Sequence, residues 1–332
     1  MRNKLCLLII LLISIHRFVY PQSSMSINDL KIEIAKSDQF FTKSRTGEYI
    51  LIEKRTENEK LQLILKNILN NTEAIISPFD EETLFDALIM SDENILLLSA
   101  GSNWAMSNKY LLAYNLKSRQ FIWNLPITND FFVDLEARDK KIVTGGRNTG
   151  YIFKLDVEGK VDFSKKGFAQ HTYYVGFGNS DNIIIGNGAD SYKEKKYKIR
   201  IWNEKGDILK EFDGFSDSYK FSTNPNREMF LSYSTNQYLD QNEYIEVWDF
   251  DGKKLFKIKP ENSVVQVSFS LDGNYIIAAG GYNENCKIEI FDIQGKRIKN
   301  IPVKTTDEFI QIQKFIIHDN NTITVILCRS EL

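Results

Sequence analysis

Five segments of the chain share an alternating pattern of apolar and polar residues that ends in a tight polar turn. Alternation of this kind places every second side chain on one face and predicts a β-strand. The Asn or Asp that closes each segment recurs at intervals of 41, 47, 46 and 43 residues, at Asn115, Asp156, Asn203, Asp249 and Asp292. A strand-based repeat of about 40–50 residues is typical of the blades of a β-propeller.

Each repeat reads as four antiparallel strands. Residues 131–166 contain the alternating runs FFVDLEA, KKIVTGGR, GYIFKLD and KVDFSKK, separated by polar or Gly-containing turns. The same order recurs along the chain and can also be aligned on the N-terminal stretch. This gives six candidate blades, at residues 30–65, 84–125, 131–166, 173–212, 219–258 and 264–301. The predicted fold class is all-β, a β-propeller of four-stranded antiparallel blades.

The number of blades depends on how the ring closes. After residue 301 the chain offers two more alternating runs, FIQIQKFIIHD and NTITVILCR. The length after residue 24, divided by the mean period, predicts seven blades with an incomplete seventh. The alternative is a six-bladed ring in which this C-terminal pair joins N-terminal strands. Closure is expected because unpaired strand edges invite aggregation. Residues 67–82 are the one long irregular insertion, and a loop of that length is either functional or poorly ordered.

Two segments carry a resemblance to a known family. VQVSFSLDGNYIIAAGGYNENCKIEIFDIQGKRI (265–298) resembles a WD-repeat unit, and IEVWDFDGKKL (245–255) contains the Trp248-Asp249 dipeptide itself. The Gly-His dipeptide that begins standard units is absent, and one unit ends in Trp-Asp. The sequence is therefore similar to divergent WD-repeat-like propellers across five or six units. No hydrogen-bond tetrad built on His is carried over.

A second resemblance comes from YLLAYNLKSRQFIWNLPI (110–127), which looks like a unit of the quinoprotein-type propellers, with Trp123 on its outer strand. Some members of that group bind pyrroloquinoline quinone beside a divalent cation and a catalytic Asp, and others are assembly scaffolds without a cofactor. No matching set of cation ligands and catalytic Asp is found in this sequence.

The N-terminal residues have the pattern of a signal peptide. Arg2 and Lys4 precede residues 5–15, which are apolar except for Ser14, and a polar stretch follows at 21–24. The predicted organisation is a signal peptide at 1–24 and a single propeller domain at 25–332, so the mature chain is expected to be secreted or to reside in the periplasm or cell envelope. The apolar run is too short for a stable membrane span, although retention as an anchor remains an alternative. Two cysteines follow residue 24, Cys286 and Cys328, and whether they pair is left open.

Charge and motif content argue against several function classes. Lys+Arg number 42 and Asp+Glu 44, so the basic excess that favours nucleic acid is missing. No HExxH, CxxC or Gly-x-Ser-x-Gly motif occurs, and His171 and His318 lie in different repeats. The repeated Asp and Asn residues fit tight turns better than calcium sites, because Asx side chains bond the backbone of such turns. The sequence thus indicates no cofactor, metal site or catalytic group.

A difference between the two ends of the ring is more informative. In a four-stranded meander the loops joining strands two and three share one end of the ring with the blade-to-blade connections. These loops are long and rich in aromatic and charged residues, which are the common components of binding hot spots. The candidate partner-binding residues on this end are Trp104, Arg147, Tyr192, Tyr238 and Tyr282, and the connections add His171 and Phe215.

The sequence therefore favours an exported, non-catalytic propeller that binds a protein partner or acts as a scaffold. The alternative is an enzyme with a site at the central channel, either a quinone-dependent oxidoreductase or a carbohydrate-acting enzyme. A third class is a surface-attached adhesive or sensor domain, held by an uncleaved N-terminal segment.

Overall fold

The computed structural model describes residues 24–36, 42–55, 61–76, 82–90, 92–102, 109–127, 130, 132–180, 182–216, 219–234, 244–304 and 310–329. Almost all of the secondary structure is strand. Within these ranges the single helical element is a 3₁₀ turn at Asn283–Asn285. Among the described residues no helix has the length and apolar character needed to cross a membrane.

The strands form seven sheets. The first strand in the chain is β1 (Lys31–Lys36). Blade one contains β2 (Thr42–Lys43), β3 (Tyr49–Arg55), β4 (Leu61–Asn67) and β5 (Thr72–Ile76). Blade two contains β6 (Glu82–Met90), β7 (Ile95–Ser102), β8 (Lys109–Asn115) and β9 (Gln120–Ile127). Blade three contains β10 (Phe132–Arg138), β11 (Lys141–Gly146), β12 (Tyr151–Asp156) and β13 (Val161–Lys166). Blade four contains β14 (His171–Phe177), β15 (Ile184–Ser191), β16 (Lys196–Trp202) and β17 (Ile208–Asp213). Blade five contains β18 (Tyr219–Thr223), β19 (Met229–Ser234), β20 (Ile245–Asp249) and β21 (Lys254–Ile258). Blade six contains β22 (Val264–Phe269), β23 (Tyr275–Gly280), β24 (Lys287–Asp292) and β25 (Arg297–Pro302). Blade seven contains β26 (Ile310–Ile317) and β27 (Thr322–Arg329), with β1 beside β27.

Six of the sheets are four-stranded meanders whose strands follow chain order, as predicted. The seventh has three described strands in the order β1-β27-β26, and β1 runs parallel to β27. The prediction of seven blades is confirmed, and the seventh has three strands among the residues that the structure describes. The ring is also closed by an N-terminal strand, which the sequence had suggested only for the six-bladed alternative.

The predicted boundaries of the first blade are wrong. Residues 30–65 do not form one blade, because β1 pairs with β27 in blade seven and blade one begins at β2. The stretch 67–82 is not one irregular insertion either. Asn67 begins a tight turn, β5 follows it and pairs with β4, and β6 begins at Glu82. The turn was missed because it has no glycine: Asn71 adopts the left-handed conformation instead, with φ of 52°.

The apolar core lies between the blades, where each sheet packs on the next. Every one of the seven seams has its own cluster of buried residues, and the smallest joins blade seven to blade one around Ala35 and Ile326. Trp123, Trp202 and Trp248 pack between blades. Trp202 is fully buried between blades three and four, and the Trp123 indole donates a hydrogen bond to the Val157 carbonyl at 2.9 Å.

The turns between the third and fourth strands follow the predicted chemistry. In each, the Oδ1 atom of the closing Asn or Asp accepts backbone N–H groups two to four residues further on. This holds for Asn115, Asp156, Asn203, Asp249 and Asp292, and also for Asn67 in blade one. These side chains therefore have a structural role in tight turns.

Polar contacts reinforce the closing seam. The buried His318 contacts the Ser44 carbonyl through Nδ1 at 3.0 Å and the Thr324 hydroxyl through Nε2 at 2.9 Å. Burial lowers the pKa of His318 below its ordinary value, so the neutral ring is favoured. At the same end of the ring, the backbone N–H of Met25 donates to the Asp272 carboxylate at 2.8 Å. Cys286 and Cys328 are both free thiols.

Candidate functional site

The topology separates the two ends of the ring as predicted. We call the end that carries the loops between second and third strands, together with the blade-to-blade connections, the loop-rich end. Arg147, Tyr192 and Tyr282 all lie in such loops, between β11 and β12, β15 and β16, and β23 and β24. Trp104 and Tyr238, also predicted for this end, lie outside the described residues.

Two of the predicted residues meet at the seam between blades three and four. The Arg147 guanidinium carbon lies 5.0 Å from the centroid of the Tyr173 ring, a cation–π geometry. The His171 ring stacks on the Tyr173 ring with the centroids 6.0 Å apart, and it lies edge-on to the Tyr192 ring at 6.3 Å. Tyr197 lies 6.2 Å from Tyr173. We call these five residues the aromatic patch.

The loops that carry the aromatic patch are held by hydrogen bonds. The buried Asp130 carboxylate accepts the N–H groups of Asn148 at 2.7 Å and Thr149 at 2.8 Å, and also the Thr149 hydroxyl. The Arg147 carbonyl accepts the N–H of Thr172 at 3.1 Å. These contacts hold the backbone of the loop that carries Arg147, and a preorganised loop loses less entropy on binding.

The second loop of the patch is anchored in the same way and adds positive charge. The Tyr192 N–H donates to the Gln170 side chain at 2.7 Å. Tyr192 is 53% exposed, and Lys193 and Lys195 beside it are exposed as well. The patch therefore offers aromatic faces next to cations, an arrangement suited to acidic and planar groups.

The remaining predicted residues are not part of the patch. Tyr282 is 37% exposed and forms a bridge with Gln311, on the seam between blades six and seven. Phe215 packs against Trp248 with ring centroids 5.4 Å apart, and its N–H donates to Asn187 at 2.9 Å. Phe215 thus stabilises the seam between blades four and five.

A second group of polar residues lines the innermost strands and was missed by the sequence reasoning. The inner strands of five blades carry a register shift, in β6, β10, β14, β22 and β26. Such bulges redirect a side chain and leave a backbone N–H without a partner in the sheet. Side chains of the preceding blade accept inward-facing N–H groups of these strands. Asp86 accepts from Leu135 in the bulge of β10 at 3.0 Å. Glu136 accepts from Phe177 at 3.2 Å and Gln266 from Phe315 at 2.7 Å, both outside the bulges.

These inner carboxyl groups are electrostatically unusual. Burial raises the pKa of Asp86 and of Glu136 above their ordinary values, against the effect of the hydrogen bonds that they accept. Burial likewise lowers the pKa of Lys314, which faces Asp86 from blade seven. The only sequence signal for this group is a charged residue inside an otherwise apolar strand, as in LFDALIM and IQIQKFII.

Asp134 differs from the other inner carboxyl groups. It has φ of 50° at the bulge of β10, and its Oδ2 atom is buried without a hydrogen-bond partner among the described residues. Burial raises its pKa to about 7, and Asp86 adds to the increase while Lys220 opposes it. Asp134 is therefore the one described carboxyl of the channel that can exchange a proton near neutral pH and still has an oxygen available. No three described His, Cys, Asp or Glu side chains are grouped to hold a metal ion.

Comparison with known proteins supports the fold and does not identify a function. The sequence matches no family model, and no curated protein reaches a significant match. Solved structures that match number 881 chains, so the architecture is too common to identify a function. One is a chain in "Crystal Structure of Mitotic Checkpoint Complex", with a TM-score of 0.62 and 12% identity over 90% of this chain and 87% of that chain. At this identity the likeness concerns the fold alone, and with the seven sheets it confirms a WD-repeat-like propeller.

Proposed function

We propose that this chain is an exported protein-binding module without catalytic activity of its own, and that its partner binds at the loop-rich end. The observation that carries the proposal is the aromatic patch. Arg147 and Tyr192 lie on rigid loops, with their rings and charge exposed or half-buried. Aromatic and Arg side chains on a preorganised surface are the residues that dominate binding energy in protein interfaces.

The chemistry of the patch favours a particular kind of partner surface. Arg147, Lys193 and Lys195 are cationic, and Tyr192 presents an exposed ring. A segment that combines acidic side chains with a planar or Pro residue would match both features. The similar chain from the mitotic checkpoint complex belongs to a protein assembly by its title, which is compatible with a binding role.

The test compares two double variants with matched chemistry. Arg147→Ala with Tyr192→Ala removes a cation and an exposed ring from the patch. The control variant, Lys117→Ala with Phe121→Ala, also removes a cation and an exposed ring. These residues lie in blade two, in the turn between β8 and β9 and on the outer strand β9, away from the loop-rich end. The chain from Met25 onward is used to capture partners from the native secretome or envelope, and the affinity of each captured partner is measured by calorimetry.

We expect the patch variant to weaken binding at least tenfold, because hot-spot residues typically contribute about 2 kcal/mol or more. The control variant should bind as the unaltered chain does. A partner that binds the patch variant with unchanged affinity would count against this surface.

Export is proposed from the charged and apolar pattern of residues 1–24 and has a separate test. Met25 is buried and its N–H is bonded to Asp272, so the fold includes the residue that follows the proposed signal. Mass spectrometry of the exported protein should find an N-terminus between residues 21 and 25. A chain that retains residue 2 in the membrane fraction would favour the anchored form.

An enzyme with a channel site is the second candidate, and Asp134 is the observation in its favour. A carboxyl group with a pKa of about 7 and an available oxygen can act as a general acid or base. A visible absorption band or a bound metal in the purified protein would favour this function. Hydrolysis of polysaccharides that disappears in Asp134→Asn would favour it more strongly.

A further inference from the structure

Asp272 is a buried carboxyl group that its own turn does not require. It is 8% exposed and lies in the turn between β22 and β23. Turns of the same length join the first two strands of blades one, four and five, and each is closed by the same backbone hydrogen bond. The residues in the position of Asp272 are uncharged in these three turns: Thr46, Ser180 and Asn226. A neutral polar side chain is therefore sufficient for the turn, and the carboxyl group points to a second role.

Within the described part of the chain, only neutral groups bond the Asp272 carboxylate. Its Oδ1 atom accepts the Ser270 hydroxyl at 2.6 Å and the Asn274 N–H at 3.2 Å. Its Oδ2 atom accepts the Asn274 side-chain amide at 3.0 Å and the Met25 N–H at 2.8 Å. No described Lys or Arg forms an ion pair with it. Burial raises the pKa of this carboxyl, but the hydrogen bonds outweigh burial and leave the pKa below its ordinary value. The group is therefore charged at neutral pH, and a buried charge without a cation is costly.

The Met25 nitrogen is held beside this carboxylate by the residues that follow it. Met25 is 9% exposed and belongs to the core between blades six and seven, whereas Ser24 before it is exposed. The Asn321 side chain donates to the Ser26 carbonyl at 2.8 Å, and the Lys31 N–H donates to the Asn321 carbonyl at 3.1 Å. The position of the Met25 nitrogen is thus fixed by contacts on its C-terminal side.

A second polar atom in this place lacks a donor. The Oδ1 atom of Asn321 is buried without a hydrogen-bond partner among the described residues. Asn321 and Met25 line the same small cavity, together with Leu271 and His318. A peptide N–H at Met25 donates one hydrogen bond, and Asp272 receives it. An ammonium at the same nitrogen has three N–H groups and a positive charge, so it would supply a cation to Asp272 and further donors to the cavity.

We propose that the signal peptide is removed between Ser24 and Met25, and that the α-ammonium created at Met25 forms a buried ion pair with Asp272. The proposal rests on the export proposed above. A signal peptidase hydrolyses the Ser24–Met25 peptide bond with one water: Ser24 leaves as the carboxylate end of the released peptide, and Met25 keeps the nitrogen as an ammonium. Because the amine arises only on processing, the seam between blades six and seven gains its ion pair only in the exported protein.

The geometry selects this bond more sharply than the sequence does. Ser24 is a small residue directly before the cut, as signal cleavage sites have. Gln22, two positions earlier, departs from the small-residue pattern. The position of the Met25 nitrogen at the Asp272 carboxylate is what distinguishes this bond from its neighbours.

The described charged groups around Met25 can be controlled one by one. His318 lines the same cavity, and burial lowers its pKa so that the neutral ring is favoured. Asp29 lies on the same segment, and Lys299 of β25 donates to the backbone of this segment at 2.9 Å. Of these groups, Asp272 is the one that bonds the Met25 nitrogen itself.

Mass spectrometry of the exported protein tests the cleavage site. We expect the N-terminus to be Met25. An N-terminus at any of residues 21–24 would overturn this proposal and leave export intact. A chain that retains residue 2 would refute export, and this proposal with it.

The ion pair is tested on the chain that begins at Met25, prepared with a free α-amine and in an Nα-acetylated form. The acetyl group restores the amide of the uncleaved chain, so the N–H remains and the charge is lost. We expect the unfolding equilibrium constant of the free-amine form to be about tenfold smaller in urea denaturation at pH 6.5, as for a hydrogen bond that becomes charge-assisted. In Asp272→Asn, which keeps an acceptor oxygen, the two forms should unfold equally. Equal unfolding of the two forms of the unaltered sequence would overturn the proposal.

The pKa of the Met25 amine gives a direct measurement by NMR of ¹⁵N-labelled protein. We expect it to lie about one unit above the ordinary α-amino range of about 7.7–8.0. The stabilisation is then complete below the ordinary range and is lost as the pH rises through the raised pKa. Asp272→Asn should return the pKa to that range, and the matched control Asp29→Asn should change it less. An amine pKa within or below the ordinary range in the unaltered protein would overturn the proposal, even if Asp272→Asn does not fold.

Discussion

Replacing Asp134 by Asn is the sharpest test of the electrostatics of the channel. Asn keeps the shape of the side chain, retains an oxygen for the hydrogen bond from the Val175 N–H, and tolerates the left-handed conformation that Asp134 has with φ of 50°. The substitution removes the charge that burial disfavours. We therefore expect Asp134→Asn to stabilise the protein at neutral and higher pH.

The magnitude follows from the shift in pKa. Folding raises the pKa of Asp134 from an ordinary value of 3.8 to about 7. A shift of one unit corresponds to about 1.4 kcal/mol, so the full effect is about 4 kcal/mol. The residue as a whole is half-buried although its Oδ2 atom is buried, and partial solvent screening reduces the expected gain to about 2 kcal/mol.

The sign of the pH dependence is fixed by the direction of the shift. Below pH 3.8 the carboxyl is protonated in both the folded and the unfolded state, so it does not change the free energy of unfolding. As the pH rises, the unfolded chain loses this proton before the folded chain does, and the folded state is progressively destabilised until the pH passes about 7. The Asn variant avoids this loss, so its advantage should grow by about 1 kcal/mol or more between pH 5 and pH 8.

The assay is urea denaturation at both pH values, followed by tryptophan fluorescence. Lys220→Gln provides the internal check, because Lys220 lowers the pKa of Asp134. It should steepen the loss of stability with pH in the unaltered chain and have no such effect beside Asp134→Asn. If Asp134→Asn has the same effect on the free energy of unfolding at pH 5 and pH 8, the assignment of a raised pKa to Asp134 is refuted.

Two further predictions concern the packing of the blades. Gly159→Ala should lower the free energy of unfolding by about 3 kcal/mol in urea denaturation, because Gly159 has φ of 83° and a Cβ atom would clash with Trp123; a loss under about 1 kcal/mol would contradict that packing. The neutral His318 at the closing seam should lose stability as the pH falls below its ordinary pKa of 6.5, because burial lowers its pKa in the folded state. His318→Asn should lower the free energy of unfolding at pH 8, because contacts of the ring are lost. It should also reduce the decline of that free energy between pH 7 and pH 5, and an unchanged decline would show that other groups cause it.

Much of the fold could be predicted from the sequence because the contacts within a blade join residues that are close together in the chain. Its strands follow one another in sequence, and each turn carries its own Asx acceptor, as at Asp156 and Asp292. The exceptions arise where the structure is non-local. β1 pairs with β27 from the other end of the chain, and six residues of alternating pattern do not reveal which distant strand they join.

The candidate site was predicted in part for the same reason. Loop order placed Arg147, Tyr192 and Tyr282 on one end of the ring, since alternation of strand direction determines which loops share an end. Which of them meet depends on blade spacing, and the structure brings together Arg147 and Tyr192 but leaves Tyr282 apart. Tyr173 completes the patch because the bulge in β14 changes the direction of its side chain.

The sequence by itself determined the strands, the tight turns and the repeat, because hydrophobic alternation and Asx chemistry act over a few residues. Tertiary structure alone decided three other features: the closing of the ring by β1, the charged inner strands with Asp134, and the exposed turn at Ile68 and Leu69. Each of these depends on the desolvation or the exposure that a neighbouring blade creates. A side chain in an alternating pattern does not show which blade will cover it.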